Sequence, residues 1–265
     1  MKFSLVANPK LPNIKKILTK VIGFVDDFDL EEETAKIVGL EGLPIADLKG
    51  DVVISLGGDG TLLYIFSQLN KPLFGINCGG VGFLAEMEQD GDFFEAIKRI
   101  ESGSYESQKL QRIDAYLNGL LVGTALNEVV FHSSRVAKIQ GFEIKINNKL
   151  VDSFRGDGLI VATPTGSTSY AMSLGAPILL PTMESNVIVP MAAYRLGTRP
   201  LVVPSKYELE AKLTGNPEAV MVIDGQDEIM INIDDSIVLK RSKEPVQMIR
   251  FSDNFFERVR TKLRP

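Results

Sequence analysis

Residues 52–63 read V-V-I-S-L-G-G-D-G-T-L-L, an apolar run closed by three glycines around one carboxylate, Asp59. A glycine-rich turn after a strand holds phosphate through backbone N–H groups, usually with a cation nearby. A carboxylate in that place repels phosphate, so it needs another task. It can accept the proton of an attacking hydroxyl, or hold that hydroxyl in line with a phosphoryl group. It can also help to hold Mg2+. The alternative is a cap on the helix that opens at Thr61, a role Asp performs well. Gly57, Gly58 and Gly60 favour a site, because they let the backbone come close to a ligand. There is no Lys as in G-x-x-x-x-G-K-[ST], so this is not a Walker loop.

A second acidic turn, F-R-G-D-G-L, places Asp157 between Gly156 and Gly158, and Asp224-Gly225 makes a third. Asp-Gly is also a plain hairpin signal, and for Asp224 that reading is preferred. Asp157, however, leads into L-I-V-A-T-P-T-G-S-T-S-Y-A-M-S-L-G-A-P, where Thr163, Thr165, Ser167, Thr168, Ser169, Tyr170 and Ser173 crowd together. Residues 158–183 contain no charge, and Pro164, Pro177 and Pro181 exclude a membrane helix. Uncharged hydroxyls and backbone groups suit a ligand rich in amide and sugar oxygens.

Asn127-Glu128 is a polar pair within the apolar strand A-L-N-E-V-V-F-H, either hydrogen-bonded inside or exposed at a strand end. The single histidine, His132, decorates that strand. The glycines of I-N-C-G-G-V-G-F-L-A-E, residues 76–86, fit a tight turn or a close approach, without the full dinucleotide fingerprint.

These groups need elements to position them. Strand patterns at 2–7, 51–56 and 72–76 alternate with helical ones at 12–22, 61–69 and 93–100. That alternation predicts an α/β N-terminal domain with a parallel sheet. From residue 108 the period becomes two, with hairpins at Asn118-Gly119, Asn147-Asn148 and Asp224-Gly225. This predicts a β-rich, mostly antiparallel C-terminal domain. Phe255, Phe256, Val259 and Leu263 make a helical stripe in the tail. The expected division is 1–107, 108–250 and 251–265, the last a helix packing back on the first domain.

The net charge of −5 argues against a general nucleic-acid binder. One cysteine, Cys78, cannot make an intramolecular disulfide and suits a reducing compartment. The opening M-K-F-S-L-V-A-N-P-K has too short an apolar run for a signal peptide. A cytoplasmic protein without membrane or nucleic-acid partners is the expectation.

The motifs together resemble the NAD kinases: G-G-D-G-T at 57–61, N-x-G-x-x-G-F-L at 77–84, N-E at 127–128, G-D-G at 156–158, P-T-G-S-T-S-Y at 164–170 and D-G-Q at 224–226. G-G-D-G-T alone is shared with diacylglycerol, sphingosine and phosphofructo-kinases, whereas the later motifs are more specific. Ser169 stands where the family often has Ala, and Val81 where Leu is frequent. The resemblance implies transfer of a phosphoryl group from ATP or polyphosphate to the 2′-hydroxyl of the adenosine ribose of NAD, with Mg2+ or another divalent metal. It implies Asp59 as the catalytic base, with Gly57, Gly58 and Gly60 near the phosphates and Asn77 in the second glycine motif. Asn127 and Glu128 would bind the adenosine portion. Arg155, Asp157, Thr168, Ser169, Tyr170, Ala171, Met172, Ser173 and Gln226 would complete the dinucleotide site. No residue is assigned to the protein as a metal ligand, and a homodimer or homotetramer is implied. Arg112, Arg135 and Lys138 are further candidates for phosphate contacts. A lipid or sugar kinase, or a dinucleotide sensor without turnover, are the rival classes.

Overall fold

The computed structural model describes residues 1–263 except Val81, Val136, Leu196 and Asp227. Val81 of the second glycine motif, Asp227 of the third hairpin and Arg264 and Pro265 of the tail lie outside the described residues. The chain divides into two compact units: residues 1–109 with 246–265, and residues 110–245.

The first unit is built on a seven-stranded sheet. In spatial order it runs Phe28–Leu30, Phe3–Ala7, Val52–Gly57, Leu73–Asn77, Val246–Arg250 and Glu106–Leu110, with Met87–Glu88 also on Leu73–Asn77. The pairings among Phe28–Leu30, Phe3–Ala7, Val52–Gly57, Leu73–Asn77, Met87–Glu88 and Val246–Arg250 are parallel. Phe3–Ala7, Val52–Gly57 and Leu73–Asn77 are buried at every position, as strands covered on both faces must be. The helix Ile14–Ile22 buries Ile14, Ile17, Leu18 and Val21 at helical spacing. The helix Phe93–Glu101 buries Phe93, Ala96, Ile97 and Ile100, and Asp92 caps it by accepting the Glu95 N–H at 3.1 Å.

Two expectations change here. Val246–Arg250, expected in the β-rich domain, is a strand of the first unit, where Met248 pairs with Leu73. Residues 255–263 are helical, as Phe255–Arg258 followed by the π-type turn Val259–Leu263. Its apolar stripe is only partly covered: Phe255, Val259 and Leu263 are half-buried and Phe256 is 70% exposed, while Arg258 is buried. The tail is held by cations, described below.

The second unit holds two six-stranded antiparallel sheets. One runs Lys149–Gly156, Gln140–Ile146, Leu209–Thr214, Ile237–Arg241, Ile113–Leu117, Leu120–Ala125. The other runs Leu201–Pro204, Ser185–Met191, Gly158–Ala162, Glu128–Ser133, Glu218–Ile223, Glu228–Asn232. One core unites them, with Ile113, Phe142 and Leu213 from the first against Val129, Phe131 and Met221 from the second. At Asn118-Gly119 and Asn147-Asn148 both turn residues have positive φ, as two-residue hairpin turns of this hand require, and Asp224 and Gly225 take positive φ within the longer connection from Ile223 to Glu228. On the second sheet, Val130, Ile160 and Val189 pack with Ala171, Ala176 and Leu179. That cluster fixes the segment after Ala162 against the sheet.

Candidate active site

The helix after the acidic turn begins at Asp59, two residues before the expected Thr61. Asp59 does not cap it: the position before the helix is Gly58, which makes no side-chain cap. Its carboxylate is committed to another loop instead. Oδ2 accepts the Phe83 N–H at 2.7 Å and Oδ1 accepts the Leu84 N–H at 3.1 Å. The two glycine motifs meet because Gly57 and Asn77 are in register at the ends of paired strands. A Cβ on Gly82 would stand 2.7 Å from Asp59 Oδ1, so any other residue there would press on the carboxylate. The glycines of the first turn differ in their surroundings. A Cβ on Gly57 would meet Thr61 Oγ1 at 2.2 Å, whereas one on Gly60 would meet nothing within 4 Å. Gly57 serves packing; Gly60 faces open space.

Asn77 is buried and spends its amide on its own turn, donating to Gly80 O at 3.1 Å and Glu88 Oε2 at 2.8 Å. Nearby, the Glu86 carboxylate accepts from Arg258 at 2.8 Å, Arg250 at 3.3 Å and the Phe251 N–H at 2.8 Å. Burial, with Arg258 beside it, pushes the Arg250 guanidinium down to about 10. Burial likewise pushes the Cys78 thiol up to about 11 and leaves it inert.

In the second unit, Asp224 is more than a turn residue. Its Oδ2 accepts the Leu126 N–H at 2.6 Å, and Oδ1 accepts the Asn127 and Glu128 N–H groups at 2.8 and 3.0 Å. The N-E pair is thus both buried and anchored. Glu128 Oε1 accepts from Ser169 Oγ at 3.2 Å, while Oε2 is buried without a partner among the described residues. Burial first, then the Asp224 charge, pushes the Glu128 carboxyl up to about 7. Asp224 is also raised, its burial outweighing the three amides and Arg112.

The hydroxyl run divides by task. Thr163 Oγ1 donates to Leu126 O at 2.5 Å and accepts the Gly166 N–H at 3.1 Å. Ser167 Oγ bonds Pro164 O and the Leu179 N–H, at 2.6 and 2.9 Å. These two build the turn Thr165–Thr168. Gly166 packs so closely on Asn127 that a Cβ would stand 2.2 Å from Asn127 O. Thr165 Oγ1, by contrast, is buried with no partner among the described residues. Thr168 bonds Thr165 O at 3.2 Å, and Thr168, Ser169 and Met172 are half-buried. Tyr170 and Ser173 are exposed, while Ala171 is wholly buried in the apolar cluster.

Arg155, Asp157 and Gln226 are exposed. Asp157 is not in a hairpin; it lies where the chain leaves Lys149–Gly156 in one sheet and enters Gly158–Ala162 in the other. Its flanking glycines answer to packing, since a Cβ on Gly158 would stand 2.3 Å from Phe131 O. His132 is exposed, its Nδ1 2.8 Å from Ser133 O. Arg112 is buried and donates to Glu244 O at 2.8 Å. Sequence reasoning missed Asp224 as an anchor, Thr165 as an unsatisfied hydroxyl and the cations of the tail. A buried polar atom without a partner has no signature in spacing.

No helix among the described residues is long and apolar enough to cross a membrane. The family profile of the ATP-NAD kinase N-terminal domain matches residues 7–105, and that of the ATP-NAD kinase C-terminal domain matches residues 126–251. The chain is 42% identical to an NAD kinase of Methanosarcina barkeri, over 87% of this chain and 86% of that one. It is 34% identical to an NAD kinase of Thermoplasma acidophilum, over 99% and 98%. Among solved structures, an NAD kinase from Archaeoglobus fulgidus in complex with ATP superposes at a TM-score of 0.78, with 29% identity over 98% of this chain and 99% of that one. Yeast NADH kinase complexed with NADH, at 18% identity, shares the fold at a TM-score of 0.92 over 99% of this chain and 87% of that one. Similarity that runs through both units at such identities is more than a shared glycine turn, and the chain belongs to the NAD kinase family.

Proposed function

We propose that this kinase transfers the terminal phosphoryl group of ATP, or of polyphosphate, to the 2′-hydroxyl of the adenosine ribose of NAD. The observation that carries the reading is the Asp59 carboxylate, clamped by two consecutive amides at 2.7 and 3.1 Å beside a glycine facing open space. A ribose hydroxyl is too weak an acid to ionise freely near neutral pH. Asp59 takes its proton as the ribose oxygen bonds to phosphorus and the donor's bridging oxygen leaves. A base so placed is worth roughly 10²–10⁴-fold in rate. Gly58 and Gly60 leave the backbone open to the donor phosphates. The Archaeoglobus fulgidus relative holds ATP, which supports a triphosphate donor.

Mg2+ fits as a metal that arrives with the donor phosphates. No group of three His, Cys, Asp or Glu among the described residues could hold it alone, and Mg2+ usually takes one or two carboxylates beside phosphates. When bound it neutralises phosphate charge; Asp59 is the carboxylate available to it. In the second unit, Asn127, Glu128 and Ser169 recognise the adenosine portion of NAD, supported by the unpartnered Glu128 Oε2. Arg155, Asp157, Thr168, Tyr170, Met172, Ser173 and Gln226 complete the dinucleotide site, to which Ala171 contributes packing. We read the enzyme as a cytoplasmic homodimer or homotetramer.

The experiment is an end-point assay for NADP from NAD, ATP and Mg2+, beside the Asp59→Asn variant. Wild-type NADP with a blank from Asp59→Asn, which still binds NAD, is the expected result. Turnover retained in Asp59→Asn removes the assigned base. A blank from both, with ATP and with polyphosphate, removes the reaction.

A further inference from the structure

Three side chains from 250–262 grip three consecutive carbonyls of the loop that holds Asp59. Lys262 Nζ donates to Gly82 O at 2.6 Å, Arg258 Nη1 to Phe83 O at 2.8 Å and Arg250 Nη1 to Leu84 O at 2.6 Å. The Gly82 carbonyl and the Phe83 N–H belong to one planar peptide unit, and the Phe83 carbonyl and Leu84 N–H to the next. Each unit therefore carries a cation on its oxygen and an Asp59 oxygen on its N–H. Lys262 faces Oδ2 through the first amide, and Arg258 faces Oδ1 through the second. Hydrogen bonds chained in this way polarise and strengthen one another, most of all away from water.

The cations are themselves fixed. Arg258 also bonds Glu86, whose side chain is 3% exposed and which Arg250 shares at 3.3 Å. Lys262 also bonds Glu88 Oε1 at 3.1 Å, and the other Glu88 oxygen accepts from Asn77. Cation, amide and carboxylate thus form one connected lattice within the first unit. Apolar packing contributes beside it, with Phe255, Val259 and Leu263 half-buried and Phe256 largely exposed.

We propose that Lys262 and Arg258 are positioning residues for the phosphoryl transfer, acting through the peptide units 82–83 and 83–84 to fix the direction of the Asp59 carboxylate. This rests on Asp59 being the base. A carboxylate swung by an ångström or so no longer meets the ribose hydroxyl, and misplacement of that size is costly in rate while leaving binding intact.

The test compares Lys262→Met, Lys262→Arg and Asp59→Asn in the full chain, with kcat and KM measured for NAD and ATP. Lys262 is partly exposed, at 20%, so its removal leaves the buried Arg–Glu86 cluster in place. Lys262→Met is expected to lose about 10-fold in kcat with both KM values unchanged, and Lys262→Arg to recover it. Wild-type kcat in Lys262→Met overturns the proposal. Equal losses in Lys262→Met and Lys262→Arg also overturn it, because the cation is then not what matters. Activity retained in Asp59→Asn overturns instead the assignment of Asp59 on which the proposal stands. Thermal unfolding of each variant separates folding from rate: a loss of kcat that follows a fallen melting temperature in both Lys262 variants counts against positioning.

Discussion

Asp224 Oδ1 accepts the backbone N–H of Glu128 at 3.0 Å, a bond between a hairpin turn and the start of a strand 96 residues away in sequence. The same oxygen takes the Asn127 N–H, and Oδ2 takes that of Leu126. A hairpin turn thereby orients the N-E pair. Hydrogen bonds to charged groups contribute roughly 1.5–3 kcal/mol each, and a stranded amide costs comparably. Asn at 224 keeps one acceptor oxygen and turns an NH2 group toward an amide. Asp224→Asn is therefore expected to lose ~1–3 kcal/mol in urea unfolding and to bind NAD several-fold more weakly. Unchanged NAD affinity in a calorimetric titration would separate the anchor from recognition.

Glu128 makes stability depend on pH in an uncommon direction. Its folded value is raised from 4.5 to about 7, by burial first and by Asp224 second. As pH rises between those values the unfolded chain releases a proton that the folded chain keeps. The folded state therefore loses stability through that window, by roughly 3 kcal/mol in all. Glu128→Gln, which cannot ionise, escapes the loss. The difference in melting temperature between Glu128→Gln and wild type should widen from pH 4.5 to pH 7 in favour of the variant. A difference that stays flat with pH would mean that the carboxyl is not held protonated.

The parallel sheet was legible because Val52–Gly57 and Leu73–Asn77 are buried on both faces and so show no alternation. The hairpins were legible because Asn118-Gly119 and Asn147-Asn148 take the positive φ that such turns demand. Phe28–Leu30 has three residues, too few to show a period, and the helix Glu32–Val38 after it was missed with it. Val246–Arg250 reads as a strand, but nothing local says that its partner is Leu73–Asn77. Within the site, motifs contained Asp59 and Glu128 and also Phe83, Leu84 and Asp224, but nothing in them said that the backbone amides of Phe83 and Leu84 hold Asp59 or that Asp224 holds the amide of Glu128. Backbone donors are common to all residues and leave no trace in residue type. The apolar stripe of the tail shows Phe255, Val259 and Leu263 half-buried, but it gives no sign of the hydrogen bonds that Arg258 and Lys262 make.

Gly60 and Gly166 differ in what a side chain at each position would meet. A Cβ on Gly166 would stand 2.2 Å from Asn127 O and 2.8 Å from Asn127 Cα, neither of which can retreat like a side-chain tip. Gly166→Ala should lose ~1–3 kcal/mol, as overpacked interiors do. A Cβ on Gly60 meets nothing, and within a helix Ala is preferred to Gly, so Gly60→Ala should gain about 0.5 kcal/mol. Its kcat/KM for ATP should nevertheless fall about 10-fold if the open space receives phosphates, since an added methyl group excludes close approach. A stabler Gly60→Ala enzyme with full activity would reassign that glycine to the fold.

Thr163 and Thr165 lie two residues apart and should respond oppositely to the same change. Thr163 Oγ1 satisfies Leu126 O and the Gly166 N–H, so Thr163→Val strands two buried backbone groups. That costs about 1–3 kcal/mol for each group left unmet. Thr165 Oγ1 is buried without a partner among the described residues, so Thr165→Val removes a desolvated hydroxyl and leaves the free enzyme as stable or more so. A hydroxyl buried at a cost and bonded to none of the described residues is accounted for if NAD supplies the missing partner. Thr165→Val should then weaken NAD binding by about 10-fold, the worth of roughly one hydrogen bond, while its melting temperature holds. If Thr165→Val destabilises the free enzyme as Thr163→Val does, the hydroxyl belongs to the fold rather than to the ligand. Chemical denaturation and NAD titration of the two variants, side by side, decide between these outcomes.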